Sequence, residues 1–174
     1  MKGDADPARL ATTRVYSGRL INVDIDTVRF PNGETGDLEI VRHPGASAVV
    51  PFLTDPAGDD PQILLIKQYR YAARGFVYEI PAGKLDGGED PLVCARRELQ
   101  EETGCTAERI EHIYSFYTTP GFTDELIHAY IASGLTRGDT AHEKDEFMER
   151  EDVPDQVKAK IMRENALNLY KIQA

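Results

Sequence analysis

Basic residues are in short supply: 20 Lys and Arg stand against 30 Asp and Glu in 174 residues, a formal charge of -10. A general nucleic-acid or anionic-membrane surface needs a basic footprint, so both partner classes are excluded. A small anionic ligand stays open only where a cation or a few arginines neutralise it. Cysteine is nearly absent, with Cys94 and Cys105 alone. Two cysteines without metal-ligand neighbours make neither a disulfide scaffold nor a thiolate metal site, and a reducing cytosol is the expected compartment. Long apolar runs are missing too, since no segment approaches the roughly 20 residues that a membrane helix requires. The opening "MKGDADPARLATTR" is polar, with no apolar signal core. A soluble, cytoplasmic protein with one α/β domain is expected at this length.

What is present is a mixed pattern. Residues 1–13 read as a loose arm, and "VYSGRLINVDIDTVRF" alternates as an antiparallel strand that turns at "PNGETG" into a partner, "DLEIVRH". "ASAVVPFL" and "QILLIKQYR" are compact apolar runs suited to central strands, and "FVYEIPAG" is a further strand stopped by Pro81 and Gly83. Asp90 is placed to cap a helix that starts with Pro91 and ends at Gly104, with Leu92, Ala95 and Leu99 as its inward stripe. Two strands follow around "TTPGF", then a charged loop, a short strand near Phe147 and a closing helical pattern through Val157, Ile161, Leu167 and Tyr170. The pattern predicts an α+β fold.

The central helix raises a chemical question, because Glu98, Glu101 and Glu102 share one side of it in a protein already rich in negative charge. Like charges at four-residue spacing cost a few tenths of a kcal/mol. A solvated polar face is the plain explanation. The competing one is a metal site: carboxylates supply hard oxygen ligands for Mg2+ or Mn2+, and Gly83, Gly87 and Gly88 ease a tight loop at the helix approach. Glu89 stands at the helix mouth, and Arg97, just before Glu98, can pair with a carboxylate. Residue chemistry alone leaves both readings open.

Gly83, five residues, Glu89, seven residues, then Arg97-Glu98-Leu99-Gln100-Glu101-Glu102-Thr103-Gly104-Cys105 resembles a complete Nudix box, with no position broken. Such a match fixes many residues over long spacing. The resemblance implies the Nudix fold, a mixed β-sheet core between helices (an α/β/α sandwich) with an N-terminal antiparallel strand subdomain. It further implies Mg2+, with Mn2+ as the alternative, held by Glu98, Glu102, Glu101 and the Ala82 carbonyl. Arg97 and Glu89 would orient these ligands, and Gly83 and Gly104 would shape the two ends of the motif.

Residues 18–147 are similar to the ADP-ribose pyrophosphatase branch, through "EIPAGKLDGGED", "IKQYR" and "TTPGFTDE", where Pro120 lies sixteen residues beyond Gly104. By that resemblance Arg70 contacts the substrate phosphates and Glu39 helps to recognise adenine. Relatives sandwich adenine between aromatic side chains; this chain has no tryptophan, so Phe30 or a tyrosine would have to serve. In "AHEKDEFMERE", Glu146 matches the glutamate that positions water, with Glu143 in reserve as general base. The implied reaction is hydrolysis of ADP-ribose to AMP and ribose 5-phosphate by a homodimer. Its N-terminal β subdomain (14–44) would take part in dimerisation, and residues 45–174 would form the catalytic domain. Alternatives are another nucleoside diphosphate sugar such as GDP-mannose, a dinucleotide, or a non-catalytic nucleotide-binding module, the last opposed by the intact glutamates. The charge and proline of "REDVPDQ" depart from relatives and predict a curtailed last strand.

Overall fold

The computed structural model describes residues 8–138 and, for its backbone, the strand 148–151. Three strands come first: β1 (Arg9–Ser17), β2 (Asn22–Arg29) and β3 (Thr35–Arg42) form an antiparallel sheet in the order β1-β2-β3. The long strand expected after Val15 is therefore divided. Gly18 N–H donates to the Ile21 carbonyl at 2.9 Å and turns the chain between β1 and β2. The strand also begins at Arg9, inside the stretch read as an arm, and every residue of β1 is exposed. A strand with neither face buried has no apolar stripe to announce it.

β4 (Ala46–Pro51), β7 (Ala82–Lys84), β8 (Cys105–Tyr117) and β9 (Leu126–Arg137) form the central sheet in the order β7-β4-β9-β8. It is mixed, because β4 runs parallel to β9 while the other pairs are antiparallel. β5 (Leu65–Arg70), β6 (Gly75–Glu79) and the four-residue β10 (Met148–Glu151) make a third, antiparallel sheet with β5 in the middle. Phe147 itself, Glu143, Asp145, Glu146 and the closing helical pattern lie outside the described residues.

The helix α1 (Pro91–Thr103) has the bounds that its signals predict. Asp90 accepts from the N–H groups of Leu92 (2.8 Å) and Val93 (3.4 Å), and Gly104 closes the helix in the left-handed region at φ 69°. One face is seated by burial of Ala95 and Leu99 against Val49, Leu64, Cys105, Tyr130 and Ala132, with Leu92 packed at the margin. Apolar burial of this kind holds α1 across the central sheet and fixes which residues the remaining faces present. The result is an α+β fold, a mixed sheet core flanked by a helix and an antiparallel strand subdomain, as the Nudix resemblance implies.

Candidate active site

Gly83 sits on β7 directly beneath the Glu98 carboxylate: a Cβ added there would lie 1.9 Å from Oε1. No other residue type fits that contact without moving Glu98. The same carboxylate accepts from Arg97 Nη1 at 2.6 Å, and this nitrogen also donates to Glu101 Oε2 at 3.0 Å. Arg97 Nε and Nη2 reach Glu89 at 3.0 Å each, and Nη2 also donates to the Lys84 carbonyl at 3.3 Å. One guanidinium thus ties the β7 end, the helix mouth and the glutamate face together. The Arg97 contact holds the Glu89 carboxyl down at about 2, well below its ordinary range. Burial acts against the Arg97 charge, yet the Glu89 hydrogen bond and the neighbouring glutamates outweigh it and raise its pKa.

Glu102 is 4% exposed and Glu98 7%, whereas Glu101 stands further out. Glu102 Oε2 accepts the Ala82 N–H at 2.9 Å, which pins the start of β7 to the last turn of the helix. Among the described residues no group of three His, Cys, Asp or Glu side chains is arranged to hold a metal. Glu98, Glu101 and Glu102 are instead engaged by a guanidinium and a backbone N–H. Their chemistry still suits a hard divalent cation: clustered carboxylate oxygens, two of them buried, beside the bare Cα of Gly83. Carboxylate oxygens are the ligand type that Mg2+ or Mn2+ takes, and the fit is one of chemistry, with the three side chains drawn onto Arg97 and the Ala82 N–H. Cys94 is a small core side chain beneath this loop, its thiol pushed up to about 11 by burial.

Glu98 and Glu101 face a recess of about 210 Å³, whose wall is completed by Ala82, Gly83, Lys84, Asp86 and Arg97, while Glu102 stays behind it on the Ala82 N–H. Ala82, Gly83 and Lys84 also line a larger cleft of about 490 Å³, which contains Arg70. The structure therefore brings Arg70 and the box residues to adjoining walls. Glu79 orients Arg70, with Arg70 Nη2 donating to Glu79 Oε2 at 2.8 Å and Nε to Oε1 at 3.1 Å.

The other expected substrate contacts are placed elsewhere within the chain. Phe30 lies at the β2–β3 hairpin with its ring over Gly36, Glu39 is exposed on β3, and neither lines the cleft. Pro120 lines a separate recess of about 290 Å³ with Asp26, Leu38, Arg42 and Tyr117.

Sequence reasoning missed several cleft residues. Arg19 and Leu20 arrive from the β1–β2 turn, Gln68 from β5 of the third sheet, Lys84 from β7 of the central sheet and Glu125 from the loop before β9. Gly18, whose Cβ would crowd the Tyr16 ring and the Ile21 carbonyl, was the local signal for that turn. His43, just beyond the end of β3, is also in the wall. Its Nδ1 lies 3.2 Å from the Gly45 N–H, which it accepts, and 3.5 Å from Glu125 Oε1. Arg42, by contrast, is taken up by Asp24 at 3.0 Å, by Asp26 in a close pair and by Asp124 at 3.2 Å.

The sequence profile of the NUDIX domain matches residues 43–170. A methanol dehydrogenase activator of Bacillus methanolicus is 45% identical over 142 residues, 80% of this chain and 74% of that protein. An ADP-ribose pyrophosphatase of Bacillus subtilis (strain 168) is 42% identical over 142 residues with the same coverage, 80% and 74%. The crystal structure of an ADP compounds hydrolase aligns with a TM-score of 0.66 over 98% of this chain and 95% of the other; at 22% identity the likeness bears on the fold.

Proposed function

The chain belongs to the Nudix hydrolases, diphosphate-cleaving enzymes of nucleoside-diphosphate-linked substrates, and from that premise we propose that it hydrolyses ADP-ribose to AMP and ribose 5-phosphate. The observation that carries the reading is the junction of two walls: Glu98 and Glu101 on one side and Arg70 on the other open on neighbouring recesses that share Ala82, Gly83 and Lys84. The similarity to an ADP-ribose pyrophosphatase supports the choice of substrate.

Nudix domains typically coordinate a divalent metal for catalysis. Glu98, Glu102 and Glu101, with the Ala82 carbonyl, would hold Mg2+ or Mn2+, which when bound supplies neutralisation of diphosphate charge. Arg70 would grip a phosphate in an orientation set by Glu79. Arg97, held by Glu89, would keep the Glu98 carboxylate aimed over Gly83. Glu146 would position and deprotonate the attacking water, with Glu143 in reserve. The exposed β1, bearing Leu10, Val15 and Tyr16, supports a homodimer formed through the N-terminal sheet; sedimentation of a monomer at micromolar concentration would remove it.

The test is product analysis with Mg2+ across ADP-ribose, GDP-mannose and a dinucleotide. AMP released with a clear preference for ADP-ribose is expected, and Glu98→Gln should reduce that turnover by about a hundredfold or more. GMP release from GDP-mannose as the preferred reaction would reassign the substrate. An unimpaired Glu98→Gln variant would sink the site assignment.

A further inference from the structure

Within β5 the buried run Leu65, Ile66 gives way to Gln68, which is only 6% exposed. Its cross-strand neighbours are Val77 on β6 and Met148 on β10, so the ladder offers its side chain no polar residue directly opposite. Among the described residues, Gln68 Oε1 is a buried side-chain atom with no hydrogen-bond partner. Buried amides are normally satisfied, and one that is not carries a penalty that a leucine or methionine of similar size would avoid. Gln68 is also among the residues that line the 490 Å³ cleft, two residues before Arg70, with its amide oxygen enclosed behind the surface.

We propose that Gln68 is a specificity residue whose amide reads a sugar hydroxyl of the substrate. The proposal rests on the nucleoside diphosphate sugar reading above and assigns it a further contact. The chemistry selects the sugar. A diphosphate at neutral pH presents acceptor oxygens only, which suit the Arg70 guanidinium and cannot satisfy an amide oxygen. A hydroxyl both donates and accepts, so it can serve either end of the amide. A cleft with a guanidinium and an amide on one strand therefore matches a phosphate bonded to a polyol, whereas a bare polyphosphate has no donor to offer the amide oxygen. Discrimination by a buried polar group of this kind is strong, because a ligand lacking the hydroxyl leaves the group unpaired.

Gln68→Met tests this by comparing two ligands in the same enzyme: ADP-ribose as substrate, and inorganic pyrophosphate, which has no sugar, as a competitive inhibitor. The expected result is a loss of about tenfold or more in kcat/KM for ADP-ribose, with the pyrophosphate inhibition constant unchanged within twofold. The melting temperature should stay level or rise, since the substitution removes an unsatisfied amide. Equal losses for both ligands, no loss for either, or a fall in both together with a lowered melting temperature would each overturn the assignment. A wild type that cleaves no nucleoside diphosphate sugar would defeat the functional reading itself, and this contact with it; wild-type turnover followed by any of those three patterns defeats the contact alone.

Discussion

At the scale of single residues, the Nudix box is a set of mutual constraints. Gly83 is glycine because the Glu98 carboxylate occupies the space its side chain would fill. Arg97 carries its charge in a partly buried place because Glu89, Glu98 and Glu101 surround it. These roles were legible in part: the sequence offered Arg97 as a partner for a carboxylate, and the resemblance made Arg97 and Glu89 orient the ligands and Gly83 shape one end of the motif. The close approach of the Glu98 carboxylate to Gly83 was not legible, since it joins a strand to a helix across fifteen residues. It leads to a prediction. In Gly83→Ala the added methyl meets only the far end of a flexible side chain, so Glu98 swings aside and the backbone holds. Turnover should fall by about a hundredfold, as for other displacements of around 1 Å at a reacting centre. The melting temperature should change little, and calorimetry beside steady-state kinetics checks both halves.

At the scale of elements, legibility followed burial and end signals. α1 was bounded correctly because Asp90, Pro91 and Gly104 mark its ends and Leu92, Ala95 and Leu99 mark its buried face. The break between β1 and β2 escaped because β1 buries nothing, and its residues alternate against no core. The cap itself is testable. Asp90→Ala removes the acceptor for the Leu92 and Val93 N–H groups and should cost about 1 kcal/mol. For a chain of this size that lowers the melting temperature by roughly 2–4 °C. Asp90→Asn should recover most of the loss, because an amide oxygen also accepts; an equal drop in both variants would mean that charge, and not the hydrogen bond, holds the helix start.

At the scale of the whole molecule, the N-terminal sheet is an extension of the cleft wall. It delivers Arg19, Leu20 and His43, none of which a motif search selects, because their place depends on how two sheets are joined. The join is visible. Arg42 at the end of β3 links Asp24 and Asp26 on β2 to Asp124 in the loop before β9, and His43 N–H donates to Asp124 at 2.8 Å. Arg14 adds a second guanidinium to Asp24, whose carboxyl is held below its usual range chiefly by that hydrogen bond. Arg42→Leu would leave Asp26 in its buried place without the guanidinium, and would cut the sheet's charged tie to the Asp124 loop. The loss should appear as substrate binding more than as chemistry: KM for ADP-ribose should rise roughly tenfold while kcat stays within a few-fold, because Glu98 and Arg97 lie outside the broken network. A fall in kcat with KM unchanged would place the N-terminal sheet's influence on the box itself and dissolve its role as a wall of the substrate cleft.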